Sequence, residues 1–213
     1  MSASIHWLSL LQTNKAIAVI RTDKSDRAIK MAKAVANGGI QLIEITWNSD
    51  RAAQTIAKLR TELPACTIGT GTLLTLEQQQ QAIAAGAQFL FTPHTDPEII
   101  QVAKANNIPI VPGALSPTEI IQAWNAGASC VKVFPVQAVG GASYIKSLQA
   151  PLGHIPLIPT GGVTLENAQE FIQAGAIAVG LSGELFVQEL VAAEDWDAIA
   201  LRAKTLVQKL VVA

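Results

Sequence analysis

At 213 residues, 50% of them hydrophobic, the chain has material for one large domain with a sizeable core. Its net charge of -1, with no cluster of lysine and arginine on any predicted face, excludes the basic footprint of a nucleic-acid binder. No apolar run reaches membrane-spanning length and the opening residues lack the order of a signal peptide, so a cytoplasmic protein with no membrane partner is expected.

The chain opens with an amphipathic segment, Ile5 to Leu11, expected to lie outside the main repeat. Strand-like runs follow near 16–21, 41–46, 66–71, 88–92, 108–112, 130–134, 156–160 and 177–180. The segments between them read as helices. Ala28, Met31, Ala32, Val35 and Ala36, for instance, form the stripe of a helix that buries one face. Helix starts are marked at Thr75-Leu76-Glu77-Gln78 and Ser116-Pro117-Thr118-Glu119, which read as capping boxes, and at Asp96-Pro97-Glu98. Helix ends are marked at Asn37-Gly38-Gly39, Ala85-Gly86-Ala87, Ala126-Gly127-Ala128 and Ala174-Gly175-Ala176, where glycine suits a left-handed cap. Eightfold alternation of strand and helix, with no long linker, predicts an α/β fold. The expectation is a single (β/α)8 TIM barrel over residues 1–213, with an extra N-terminal helix and a C-terminal helix from about Trp196 to Leu210. An open doubly wound sheet is the alternative. Cys66 and Cys130 fall within strand-like runs, and His6, His94 and His154 are scattered, so neither a disulfide framework nor a metal site is expected.

Ala128 to Pro135 is a buried-strand pattern with a charge in its middle. Alternation puts Val131 and Val133 on one face and Cys130, Lys132 and Phe134 on the other, so the ammonium sits between a thiol and a ring. Removing an ammonium from water is costly, and a lysine so placed lowers its pKa and becomes a nucleophilic amine. The same alternation in Leu42-Ile43-Glu44-Ile45-Thr46 turns Glu44 to the inside, where a carboxylate can move the protons that imine chemistry needs. A structural ion pair with Lys132 is the other reading. In a barrel the site lies where strands end. There the sequence supplies Arg21, Glu44, Gly69-Thr70-Gly71-Thr72, Thr92-Pro93-His94, Lys132, Phe134, Thr160-Gly161-Gly162 and Gly180-Leu181-Ser182-Gly183. The glycine loops after the last two strands, with a helix start expected at Val163 to Glu166, suit a phosphate.

Four motifs, Gly-Gly-Ile-Gln-Leu-Ile-Glu44-Ile-Thr, Ile-Gly-Thr-Gly71-Thr72, Val-Lys132-Val-Phe134-Pro135 and Pro-Thr160-Gly161-Gly162-Val, stand in one order over nearly the whole chain. With them the sequence resembles the 2-keto-3-deoxy-6-phosphogluconate (KDPG) aldolase family, with its 2-keto-3-deoxy-6-phosphogalactonate and 4-hydroxy-2-oxoglutarate (KHG) relatives. The resemblance implies a class I aldolase without cofactor or metal. It would cleave KDPG reversibly to pyruvate and glyceraldehyde 3-phosphate, or KHG to pyruvate and glyoxylate. Lys132 would form the Schiff base and Glu44 would move protons through a water. Thr72, Pro93 and Phe134 would line the pyruvyl end, Arg21 and Thr160 would bind substrate, and the backbone around Gly161, Gly162, Gly180 and Ser182 would hold the phosphate. It also implies a homotrimer. The departure is Asn48, four residues after Glu44, where typical phosphogluconate enzymes carry arginine and the galactonate branch does not; Asn48 is therefore expected to touch substrate and to loosen preference at C4. A non-covalent isomerase and a sugar-phosphate binding protein are the readings from other classes.

Overall fold

The computed structural model describes residues 3–211. In chain order its elements are α1 (Ala3–Asn14), β1 (Ala16–Ile20), α2 (Ser25–Asn37), β2 (Leu42–Thr46), α3 (Ala52–Glu62), β3 (Thr67–Gly71), α4 (Leu76–Ala84), β4 (Leu90–Phe91), α5 (Pro97–Ala105) and β5 (Ile110–Val111). They continue with β6 (Gly113–Ala114), α6 (Pro117–Asn125), β7 (Val131–Val133), a short 3-10 turn at Val136–Val139, α7 (Ala142–Leu152), β8 (Leu157–Pro159), α8 (Ala168–Gln173), β9 (Val179–Leu181), α9 (Gln188–Ala192) and α10 (Trp196–Val211).

The strands pair in parallel in two curled sheets, ordered β5-β4-β3-β2-β1-β9 and β6-β7-β8. The expected run at 108–112 is split because Pro112, which has no N–H to give a ladder, separates β5 from β6. Its carbonyl still accepts from the Lys132 N–H at 2.9 Å. On the other side of the second sheet, a single parallel bridge joins Thr160 to Gly180. The fold is thus α/β with curled parallel sheets, and the ladder is interrupted at one seam and reduced to a bridge at the other.

Side chains alternate as the strand patterns predict. Ala18, Ile43, Ile45, Val131, Val133 and Leu157 pack outward against the helices. Ile17, Leu42, Cys130 and Ile158 share an inner cluster with Phe89, Phe91 and Val111. The opening helix precedes the first strand and so stands outside the strand–helix repeat, yet it is packed into that inner cluster. Trp7 and Leu11 are fully buried in it. The indole stacks on Phe89 with ring centroids 4.8 Å apart, and Phe89 meets Phe91 edge-on at 5.7 Å. Leu42, Phe89 and Cys130 lie at or just before the N-terminal ends of their strands, so α1 stoppers that end of the sheet.

Helix boundaries follow the cap chemistry. Ser116 and Glu119 form a reciprocal capping box, and Asp96 accepts from the Glu98 and Ile99 N–H groups. Thr75 caps α4 in part only: its hydroxyl accepts from the Gln78 N–H, but the Gln78 side chain reaches past the cap to the Leu74 N–H at 2.8 Å. At the helix ends, Gly127 at φ 101° gives its N–H to Trp124 while Ala128 gives its own to Ala123. The last helix, α10, buries Ala203, Leu206 and Leu210. It meets α2 where Gly38 has no side chain to block the Ala200 carbonyl and the Ala203 methyl. Among the described residues no helix is long and apolar enough to cross a membrane.

Candidate active site

The C-terminal ends of the strands converge on a cavity of about 580 Å³. Its wall holds Arg21 after β1, Glu44 in β2, Thr72 after β3, Pro93 after β4 and Lys132 with Phe134 at β7. Thr160, Gly161 and Gly162 follow β8, and Gly180 and Ser182 come from β9 and its end. Val19, Val163, Thr164, Gly183 and Glu184 complete it. Of these, Val19 was within reach of the alternation argument, since it shares the inward face of β1 with Ile17.

Asn48 is the one expected site residue that does not line the cavity; it is exposed. The turn after β2 decides this. The Ser49 N–H donates to the Thr46 carbonyl at 2.9 Å, and the Ser49 and Thr46 hydroxyls pair at 3.0 Å. Ser49 is further held by the Thr22 N–H at 3.3 Å, so it takes the inner position and Asn48 faces solvent. The expected helix start at Val163 to Glu166 is instead a polar turn before α8. The Thr164 hydroxyl accepts from the Glu166 and Asn167 N–H groups, while the Asn167 amide donates to the Gly162 carbonyl at 3.0 Å.

Lys132 is 7% exposed and Glu44 2%, so both ionisable groups sit deep in the cavity. Burial is the main influence on each. It pushes the Lys132 ammonium below the ordinary lysine range, against the Glu44 carboxylate, which raises it; Arg21 lowers it further. Burial pushes the Glu44 carboxyl up, against Lys132 and Arg21, which both lower it. Burial thus disfavours the charged form of each group, while the attraction between them opposes it. No Glu44–Lys132 contact is among the ion pairs formed by the described residues. The Lys132 amine lies 4.5 Å from the centroid of the Phe134 ring, which covers it on one side. Gly71, at the end of the neighbouring strand β3, leaves the space that the Glu44 carboxyl occupies; a methyl group there would collide with it.

Thr72 holds a left-handed backbone at φ 61°, an uncommon state for a β-branched residue. Gly162, at φ 95°, packs so close to Gln137 that any side chain would strike it. Its backbone is thereby presented bare to the cavity. Thr160 lies against Gly180, where a Cβ would come within 2.7 Å of its hydroxyl. His94 stands outside this cavity, in a neighbouring one of about 390 Å³ that shares Pro93 and Phe134 as its wall. Among the described residues no group of three or more His, Cys, Asp or Glu could hold a metal ion.

A buried lysine and a buried glutamate thus share one cavity with bare glycine backbone, and known proteins carry the same arrangement of chain. A 2-dehydro-3-deoxy-phosphogluconate aldolase of Treponema pallidum is 36% identical over 197 residues, covering 92% of this chain and 94% of that protein. A Legionella pneumophila KDPG aldolase, solved with pyruvate captured at low pH as a covalent carbinolamine intermediate, has a TM-score of 0.86 at 26% identity, covering 93% of this chain and 97% of that one. A native KDPGal structure has a TM-score of 0.84 at 32% identity, covering 93% and 96%. The family model for KDPG and KHG aldolase matches residues 8–201. With that span matched, and with a buried lysine and glutamate facing one cavity, the chain belongs to the KDPG and KHG aldolase family and is a lyase.

Proposed function

We propose that this aldolase cleaves KDPG to pyruvate and glyceraldehyde 3-phosphate through an imine on Lys132, and that it also cleaves KHG to pyruvate and glyoxylate. The observation that carries the reading is the inward pair of Lys132 and Glu44, whose burial favours a neutral amine beside a proton donor. The free Lys132 amine attacks the C2 keto carbon and forms a carbinolamine. Glu44 supplies the proton with which its hydroxyl leaves as water, giving the iminium. The resulting Glu44 carboxylate, through a water, then takes the proton of the C4 hydroxyl. The C3–C4 bond breaks, its electron pair moves into the iminium as an enamine, and the aldehyde departs. Protonation at C3 and hydrolysis release pyruvate and restore the amine. Thr72, Pro93 and Phe134 enclose the pyruvyl end, and Arg21 and Thr160 face the rest of the substrate. The bare backbone of Gly161 and Gly162, together with Gly180 and Ser182, suits the terminal phosphate.

The test is reduction with borohydride in the presence of pyruvate, followed by peptide mapping. The expected product is one reduced pyruvyl adduct, on Lys132. No adduct, or an adduct on another lysine, would leave the non-covalent isomerase reading, in which Lys132 acts by charge alone.

Three further points belong to the same proposal. The two curled sheets are taken as parts of one eight-stranded barrel, β5 and β6 forming a single strand broken at Pro112; the Thr160–Gly180 bridge supports this closure. The protein is taken as a homotrimer, for which exposed Leu74 and Ile121 offer apolar surface outside the cavity. Its two cysteines are free and its substrate is a phosphorylated sugar acid, which suits the cytoplasm.

A further inference from the structure

The two loops assigned to the phosphate are held from behind by one face of the last helix. The Arg202 Nε–H donates to the Glu184 carbonyl at 2.8 Å, and an Nη of the same guanidinium lies 3.7 Å from the Glu184 carboxylate. Seven residues later, about two helical turns and hence on the same face, the Lys209 ammonium donates to the Leu165 carbonyl at 2.9 Å. Glu184 lies in the cavity wall, in a turn where the Leu185 and Phe186 N–H groups both converge on the Ser182 carbonyl. Leu165 lies in the polar turn that follows Gly162.

We infer that Arg202, with Lys209, is a positioning residue for the phosphate end of the substrate, acting from α10 without touching it. The inference rests on the phosphate reading of these loops. Two physical effects combine. Each cation makes a charge-assisted hydrogen bond to a loop carbonyl and so fixes the outer side of a turn whose inner side faces the cavity. Arg202 also screens the Glu184 carboxylate, which would otherwise stand as a bare negative charge where a phosphate must enter. A tie that served only to hold the helix would weaken all substrates together. A positioning tie acts on the phosphorylated ones.

Steady-state kinetics on KDPG and on unphosphorylated KHG, with competition by inorganic phosphate, separate the two. Arg202→Met keeps the apolar stem and removes the charge. It should raise KM for KDPG about tenfold and weaken inhibition by phosphate in parallel, with kcat for KDPG and KM for KHG both within about twofold of wild type. Glu184→Gln in that background should recover about threefold of the lost affinity, because the unscreened charge is then gone. Lys209→Met should give the same split in milder form, and carries the test alone if Arg202→Met does not fold. Equal losses on both substrates, or no change on either, would overturn the role. Failure of the phosphate reading itself shows earlier, as a wild type that inorganic phosphate does not inhibit and that handles both substrates with one KM.

Discussion

Burial and two charged neighbours set the proton affinity of Lys132, the nucleophile of the proposed mechanism. Burial and Arg21 lower it, and Glu44 raises it. Imine formation with pyruvate needs the free amine, so its rate should climb with pH through the Lys132 pKa, below the ordinary lysine range. Glu44→Gln removes what raises that pKa, and the climb should move to lower pH; Arg21→Met removes what lowers it, and the climb should move to higher pH. Borohydride trapping at short times across a pH series measures both, and shifts of the opposite sign would reassign the electrostatics. Glu44→Gln should in addition slow exchange of the pyruvate methyl protons with deuterated water about a hundredfold. Asn48 marks the limit of reading single residues. As a sequence position it pointed at the substrate, yet the hydroxyl pair of Thr46 and Ser49 turns it out to solvent. Asn48→Ala should therefore change the kcat/KM ratio for the two C4 epimers of the substrate by less than about twofold, the size of an ordinary surface substitution. A larger change would mean that the loop closes over the substrate.

Among the elements, the strands were the most legible, because two ionisable residues in apolar runs could only be understood once alternation placed them on the inside. Helix starts were nearly as clear, since Ser116 and Asp96 carry their own caps. The role of α1 could not be read. An amphipathic segment has a face to bury, but its sequence does not say against what, and the ring stack of Trp7, Phe89 and Phe91 joins residues more than eighty positions apart. That stack is worth testing as a stability element remote from the chemistry. Trp7→Ala should cost about 3–5 kcal/mol in denaturant unfolding, the range for deleting a buried aromatic, while the folded fraction forms the pyruvate imine at the wild-type rate. A folded protein with slow imine formation would show that the inner cluster sets the height of Lys132 in the strand. The Arg202 and Lys209 ties belong to the same class of invisible feature, since nothing in a helix repeat reveals which loop carbonyl a cation will meet.

The whole chain was legible as an alternating α/β protein, because the repeat of strand and helix is long enough to outvote any single misjudged boundary. Its seams were not, because Pro112 sits in an apolar run that reads as continuous strand and only pairing geometry splits it. Assembly is also beyond one sequence, as exposed Leu74 and Ile121 are too few and too far apart along the chain to announce a partner. Sedimentation should give a mass about three times the 22.4 kDa of the chain, and a monomer at micromolar concentration would set the trimer aside. The rings under the inner cluster carry one more consequence. With Trp7 and Phe89 stacked at the N-terminal end of the strands, substrate in the proposed mechanism enters and leaves on the side where the strands end. The aldehyde fragment, formed on the outer side of the enamine, should leave before water attacks C2 of the iminium that protonation at C3 restores. On the proposed mechanism departure would be a queue, aldehyde first and pyruvate second, and the return journey of synthesis would load them in the reverse order.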